Sequence, residues 1–241
     1  MELLDRISKL AIELDWDVAF AGKSRGNHHL ERASKIAGHI LSEVGEKCGD
    51  RFVVLAGAWL HDVGLINGNW EHALKGKAIA GALLRCLGVE DATRKRIEHC
   101  VEAHDRGVEG GGVEATSVEA KIVHDADTLD KIGPLGVLRH SWKISLELTP
   151  AQLLAHLTEH LKERRENLYL DISRKIAAPY EDTLRDFFAD EAAALRVLET
   201  IGQCARNGIP SEDVVKHLEG VASQEFLKVL TGQLELDILR A

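Results

Sequence analysis

The sequence predicts an all-α protein, and its composition and hydrophobic spacing carry this prediction. Of 241 residues, 45% are hydrophobic, yet the chain has only 2 Tyr, 5 Phe and 4 Pro. Strands favour aromatic and β-branched residues, whereas the abundant Leu, Ala, Glu, Lys and Arg favour helices. Apolar residues also recur at three- and four-residue intervals along the chain, which is the spacing of a buried helical face. We therefore expect a helical bundle.

The first half of the chain predicts helices separated by short polar or glycine-containing breaks. Helical spacing is clear over residues 3–15 and from Leu30 to Val44, with a loop over residues 19–27 between them. Residues Arg51–His61 are apolar nearly all round, which is typical of a helix in the middle of a bundle. Further helices are expected over residues 71–87, 91–104, 117–131 and 135–146.

Residues 146–241 predict a C-terminal helical extension. Thr149-Pro150 is typical of a helix N-cap followed by a first-turn proline, and this helix should run to about Leu170. We expect helical segments over residues 173–201, with a break near Pro179, and over residues 211–239. The extension is expected to pack on a first domain of residues 1–145, where it would cover a site or form a homodimer surface.

Charge, cysteine content and hydropathy exclude several classes of protein. The net charge of −9 argues against a protein that binds long nucleic acid, which would present a basic surface. No run approaches the roughly 18 apolar residues of a membrane helix, and the N-terminus has no signal-peptide pattern. The 4 cysteines form no CxxC motif, so a zinc–thiolate site is not expected. The sequence indicates a cytoplasmic protein without a membrane partner.

A histidine–aspartate dipeptide ends the most apolar of the predicted helices. His61-Asp62 follows the run Val53–Leu60, so an imidazole and a carboxylate emerge together from a buried element. His29 precedes this dipeptide in the motif HLER, and Asp127 follows it in ADTLDKIG. Mixed nitrogen and oxygen ligands of this kind suit a divalent transition ion.

With His72 and His104 between them, these residues give the order H…HD…H…H…D, which resembles the HD superfamily of metal-dependent phosphohydrolases. The resemblance covers about residues 27–140. It implies an all-α HD-domain bundle within residues 1–145. It also implies a first metal site, whose ligands would be His29, His61, Asp62 and Asp127. The cofactor would be a divalent metal (Mn, Mg, Co, Fe or Ni), with one or two ions per chain.

His72 and His104 are the candidate ligands of a second ion, with Asp62 as the bridge. The helical positions 4, 7, 8 and 11 residues after His72 are small or apolar, so His72 should lie on a buried face. His104 likewise shares a face with apolar residues, whereas His99 lies among charged ones, and we choose His104. An alternative is that both histidines bind substrate phosphate beside a single ion.

Other residues near the motif receive supporting or structural roles. His29 is preferred to His28 because the HxxR spacing places Arg32 one turn along, where it could orient a carboxylate or meet a phosphate. Asp130 is assigned a supporting role rather than a ligand role. A second dipeptide, His124-Asp125, shows that the motif also occurs by chance.

The histidines outside the motif are interpreted as structural or solvated. His156 and His160 are four residues apart, a spacing that can bind zinc, but the sequence offers no evident third ligand. We therefore expect a solvated helical face there. His39, His124, His140 and His217 have no supporting constellation.

The favoured function is hydrolysis of a phosphomonoester or phosphodiester, with a nucleotide as the expected substrate, by metal-activated water. Catalytic roles are predicted for Asp62, Arg32 and His104, and Lys131 is a further candidate for neutralising phosphate charge. A six-ligand set is also similar to that of di-iron oxygenases resembling myo-inositol oxygenase. A catalytically silent domain is the third alternative. The cyclic dinucleotide phosphodiesterase branch is not expected, because the GYP signature is missing after His61-Asp62.

Overall fold

The computed structural model describes residues 2–14, 27–45, 47–68, 70–107 and 110–236. Within these ranges the secondary structure is helical and contains no strand, so the all-α prediction is confirmed. The predicted loop at residues 19–26 lies outside them, and Asn27 already belongs to a helix. The α-helices are α1 (Glu2–Leu14), α2 (Asn27–Val44), α3 (Arg51–Leu60), α4 (His72–Cys86), α5 (Asp91–Glu102), α6 (Val118–Leu129), α7 (Gly133–Ile144), α8 (Pro150–Glu166), α9 (Asp171–Ala189), α10 (Glu191–Arg206), α11 (Val215–Leu218) and α12 (Gln224–Glu235).

The described chain forms two compact units. The first contains α1 to most of α6, ending at Asp127, together with Tyr169–Ser173. The second contains residues 128–168 and the chain from Arg174 onward. The division at residue 145 therefore remains a prediction. Among the described residues, no helix is both long and apolar enough to cross a membrane.

Helix α3 is the central helix of the first unit. It contacts α1, α2 and α5, and its residues Val53, Val54, Ala56, Ala58 and Leu60 are buried. The Asp50 side chain caps its N-terminus by accepting hydrogen bonds from the backbone N–H groups of Phe52 and Val53. An apolar helix capped in this way delivers the residues that follow it, His61 and Asp62, into the interior of the unit.

A glycine directly after this dipeptide allows the next helix to come close. Val63–Asn67 form a 3₁₀ turn that packs on α4. A Cβ atom at Gly64 would clash with the His72 carbonyl oxygen and would lie 2.7 Å from the Gly76 backbone nitrogen. Only glycine fits this approach without displacement, so Gly64 helps to set the distance between His72 and the end of α3.

The second unit has its own core, built from α7, α8, α10 and α12. Leu138, Leu157, Ile201, Phe226 and Leu230 are among its fully buried side chains. The prediction at the start of α8 is confirmed, because Thr149 and Gln152 form a reciprocal capping box and Pro150 opens the helix.

One sequence-based prediction in this unit was wrong. Helix α9 runs through Pro179 without a break, and the interruption falls at Asp190, which caps α10. Pro179 and Lys175 are both exposed, so water can solvate the carbonyl that the proline leaves without its helical donor. Residues 211–235 form a 3₁₀ turn followed by two helices, with Ser223 capping the second. The predicted end at Leu239 lies outside the described residues.

Candidate metal centre

Four buried side chains from α2, α6 and the end of α3 converge in the first unit. The His29 Nε2 atom lies 3.2 Å from His61 Nε2, 3.1 Å from Asp127 Oδ1 and 3.4 Å from Asp62 Oδ2. The His61 Nε2 atom lies 3.2 Å from Asp127 Oδ1 and 3.3 Å from Asp62 Oδ2. One nitrogen or oxygen atom of each residue therefore faces the same small space, and we call this group the first donor set.

Two further histidines meet the other oxygen of Asp62. The Nε2 atoms of His72 and His104 are 3.1 Å apart. Asp62 Oδ1 lies 3.3 Å from His104 Nε2 and 3.9 Å from His72 Nε2. These three residues, all buried, form the second donor set. Asp62 thus turns Oδ2 toward one set and Oδ1 toward the other, which is the arrangement of a bridging carboxylate.

Backbone carbonyl groups fix the orientation of two of the imidazole rings. The Nδ1 atom of His61 lies 2.7 Å from the Ala58 carbonyl oxygen, and His104 Nδ1 lies 2.6 Å from that of Val101. A carbonyl oxygen can only accept, so Nδ1 donates in both cases, and in the neutral ring Nε2 keeps its lone pair. Both carbonyls lie three residues back, near the end of α3 or α5, where helical carbonyls lack their usual partners.

The spacing of these donor atoms fits a divalent metal ion. Metal bonds to nitrogen and oxygen are about 2.0–2.2 Å long, so neighbouring ligand atoms in tetrahedral or octahedral sites lie roughly 3.0–3.5 Å apart. The five distances that link His29 and His61 to each other and to the carboxylates span 3.1–3.4 Å. The first donor set can therefore hold one ion with little rearrangement, and the corresponding distances in the second set span 3.1–3.9 Å.

The charge of the carboxylates dominates the electrostatics of the first donor set. Burial alone would lower the pKa of His61, but the negative charges of Asp62 and Asp127 outweigh it and raise this pKa to about 10. The ring is thus protonated at neutral pH when no metal is bound. The same two carboxylates would stabilise a metal ion in place of the proton.

Asp105 is a residue of this region that sequence reasoning missed. Its Oδ2 atom lies 3.7 Å from His72 Nε2, and its Oδ1 atom accepts a hydrogen bond from the Gly107 N–H at 2.9 Å. The side chain is 36% exposed, unlike the donor residues around it. The available signal was His104-Asp105, a third histidine–aspartate dipeptide in the sequence.

The remaining residues considered from the sequence fall into distinct places. Arg32 is buried on α2, one turn beyond His29, whereas His28 is exposed. His99 lies outside both donor sets, and its Nε2 atom accepts a hydrogen bond from the Thr116 N–H. Asp130 and Lys131 belong to the second unit, where Asp130 lies 3.4 Å from Arg139. The supporting roles of Arg32, Asp130 and Lys131 remain predictions.

The dipeptide His124-Asp125 has a structural role in the first unit. The two carboxylate oxygens of Asp125 accept hydrogen bonds from the backbone N–H groups of Tyr169 and Leu170, at 2.8 and 2.9 Å. The His124 ring packs edge-on against Tyr169, with centroids 4.7 Å apart. This carboxylate therefore binds a distant part of the chain and is not available as a metal ligand.

Comparison with protein-family models gives a match over part of the chain. A family model described as HD domain matches residues 27–132, a range that contains both donor sets. A comparison with curated proteins found no match.

Several solved structures are similar to this one. A Lactobacillus plantarum protein is 21% identical with a TM-score of 0.63, and the match covers 80% of this chain and 96% of that one. Bacillus subtilis YpgQ in complex with ADP is 20% identical with a TM-score of 0.59, covering 78% and 92%. An HD-superfamily hydrolase from Bacillus thuringiensis is 21% identical with a TM-score of 0.56, covering 78% and 97%. At these identities, the likeness shows a shared fold.

Proposed function

Starting from an HD domain in residues 27–132, we propose that this protein is a metal-dependent phosphohydrolase that binds two divalent ions and cleaves a phosphoester of a nucleotide. The observation that carries the proposal is the orientation of Asp62, whose two carboxylate oxygens face different pairs of histidines. A carboxylate placed in this way would be shared by two ions, as in two-metal hydrolases. The first ion would be held by His29, His61, Asp62 and Asp127, and the second by Asp62, His72 and His104.

Two ions held there would supply Lewis acidity, which makes water a nucleophile near neutral pH and neutralises charge on a phosphoryl group. The chain itself contributes orientation, because the carbonyls of Ala58 and Val101 hold the rings of His61 and His104. Asp105 is partly exposed beside His72 and is positioned to accept a proton at Oδ2. Arg32 remains our candidate for neutralising phosphate charge.

The choice of a nucleotide substrate rests on two supports. Nucleotides are the common substrates implied by the resemblance to the HD superfamily, and the similar fold of Bacillus subtilis YpgQ has been solved with ADP. The negative charge of the chain, −9, is also more compatible with a small phosphorylated molecule than with long nucleic acid.

The test combines metal counting with a substrate screen. Purified protein loaded separately with Mn, Mg, Co, Fe and Ni is assayed for phosphate or nucleotide release from nucleotides and simple phosphoesters. In the Mn form, we expect two ions per active chain, and one ion after His72→Ala or His104→Ala. His28→Ala, which changes an exposed neighbour of His29, should keep both ions and full turnover.

Two outcomes would overturn parts of this proposal. A single ion in fully loaded, active protein would reject the dinuclear site and favour phosphate binding by His72 and His104. The same six donors also suit a di-iron oxygenase resembling myo-inositol oxygenase. Bound iron with a mixed-valent spectrum, oxygen consumption and no phosphate release in any metal form would establish that alternative instead.

A further inference from the structure

Three histidines meet in the second unit, on residues that the proposed phosphohydrolase does not use. His140 lies on α7, and His156 and His160 lie one turn apart on α8. The Nε2 atoms of His140 and His156 are 2.9 Å apart. One ring nitrogen from each of the three residues lies within 4.8 Å of the other two. The sequence offered no evident third ligand for His156 and His160, and the structure places His140 beside them.

From this geometry we propose that His140, His156 and His160 form a second type of metal site, which binds one imidazole-preferring divalent transition ion such as Zn²⁺. The nitrogen separation is already close to that between ligands of one ion, for which metal–nitrogen bonds are about 2.0–2.1 Å long. The site has only nitrogen donors, so it should select Cu²⁺, Ni²⁺ or Zn²⁺ over Mg²⁺ and Ca²⁺, which prefer oxygen.

The surroundings of the cluster favour a neutral His140 ring and leave the cluster accessible. His156 is exposed, and His140 and His160 are partly buried, so an ion can enter from solvent. The three rings stack nearly parallel, with angles of 17–19° between planes and centroids 4.1–5.5 Å apart. Burial and the nearby His160, His156, Arg164 and Lys143 lower the pKa of His140 to about 3, which keeps its lone pair available at neutral pH.

One neighbour opposes metal binding and sets the expected strength of the site. The Arg164 Nε–H donates to His160 Nε2 at 2.8 Å. An entering ion must displace this hydrogen bond, or bind the other nitrogen of His160, and it also meets the guanidinium charge. The site should therefore bind more weakly than a buried zinc site with carboxylate or thiolate ligands. A bound ion would join α7 to α8 and stabilise the second unit.

The experiment measures Zn²⁺ binding to the full chain and to variants. Equilibrium dialysis should give one equivalent fewer for His140→Gln and His156→Gln than for the wild type. His217→Gln, which removes an exposed histidine outside the cluster, should keep the wild-type stoichiometry. In Arg164→Gln, the dissociation constant of the Zn²⁺ ion bound by the three histidines should fall several-fold. NMR spectra of the histidine side chains should show the resonances of His140, His156 and His160 shifting together with Zn²⁺.

The results separate this proposal from the proposed phosphohydrolase activity. Equal stoichiometry in the wild type and His156→Gln would overturn the site, and so would an equal loss in His217→Gln. Phosphohydrolase turnover should be unchanged in all four variants, because none of them alters the donor sets of the first unit. Circular dichroism of each variant confirms that the fold is retained, and His156 is exposed enough for its replacement to be tolerated.

Discussion

The two compact units each contain a histidine cluster, but the clusters have opposite electrostatics. In the first unit, carboxylates raise the pKa of His61 to about 10. In the second, burial and neighbouring cationic groups lower the pKa of His140 to about 3. The pKa of a histidine shows whether its surroundings favour or oppose a positive charge, which matters for a metal ion as well as for a proton. The carboxylates of the first cluster thus attract positive charge strongly. The second cluster contains only imidazole donors and must bind an ion by coordination alone.

The clusters also differ in how their rings are held. His61 and His104 each donate to a carbonyl three residues back, so their Nε2 atoms already point into the donor sets before any ion arrives. The rings of the second cluster stack on one another, and His160 is held by a competing arginine. The first cluster therefore has both oriented rings and carboxylates that compensate the charge of an ion, and the second cluster has neither. The following predictions test this difference, beginning with the largest expected effect.

Replacing the bridging carboxylate should cause the largest loss. Asp62→Asn keeps the shape of the side chain but removes the charge shared by the two donor sets. We expect loss of bound metal and a fall in turnover of at least about 100-fold, since even the partners of metal ligands contribute 10–100-fold. Metal analysis and steady-state kinetics measure both effects. Asp105→Asn is the matched comparison: it should lower kcat while the metal content stays at the wild-type value.

The close approach at Gly64 should be the next most sensitive feature. Gly64→Ala forces the 3₁₀ turn away from α4, which should cost about 1–3 kcal/mol of unfolding free energy and weaken binding of the ion held by His72. Urea denaturation and metal content provide the measurements. Gly38→Ala on α2 is the control, because its Cβ would lie an acceptable 3.5 Å from the Leu55 side chain on α3. Equal destabilisation by both changes would contradict this explanation.

The pH dependence of metal binding should distinguish the two clusters. At a pH below the His61 pKa of about 10, a metal that enters the first donor set must displace the proton of His61. Affinity at that set should therefore rise by up to about tenfold per pH unit as pH increases toward 10. Calorimetry in buffers of different ionisation enthalpy would detect the released proton. His140, with its pKa lowered to about 3, should release none near neutral pH.

The smallest expected effects concern the caps of the helices that carry the histidines. Asp50→Ala at α3 and Thr149→Ala at α8 should each cost about 1 kcal/mol of stability. Only the first should also reduce phosphohydrolase turnover, because α3 delivers His61 and Asp62. Thermal unfolding and kinetic assays on both variants make the comparison. A larger loss of turnover in Thr149→Ala would contradict the assignment of the active site to the first unit.

The sequence was sufficient for features that depend on local spacing. Apolar periodicity placed most helices to within a few residues, and helical phase separated the buried His72 and His104 from the charged face of His99. Their convergence with Asp62 was proposed from the resemblance to a family, and the structure brings these side chains together. The roles of individual ligands remain predictions.

The features that the sequence did not reveal depend on contacts between distant residues or on solvent. Pro179 was expected to break a helix, but its exposed position lets water replace the missing hydrogen bond. His140 had no apparent partners because its contact with His156 and His160 exists only when α7 packs beside α8. Asp105 was missed because its proximity to His72 depends on the turn at Gly107. Hydrophobic spacing and helix propensity concern residues that are close in the sequence, so they do not reveal contacts between distant residues or exposure to solvent.

The hydrogen bonds between Asp125 and residues 169–170 have a consequence for synthesis of the protein on the ribosome. The first unit includes Tyr169–Ser173, so it is not complete when its last helix leaves the exit tunnel. More than forty residues must still be translated before the buried carboxylate receives its backbone donors. Until α8 and residues 169–170 have emerged, the Asp125 carboxylate lacks both backbone donors and depends on water for its hydrogen bonds. A fragment that ends at residue 145 should consequently aggregate or be degraded, whereas one that ends after Ser173 regains these two donors.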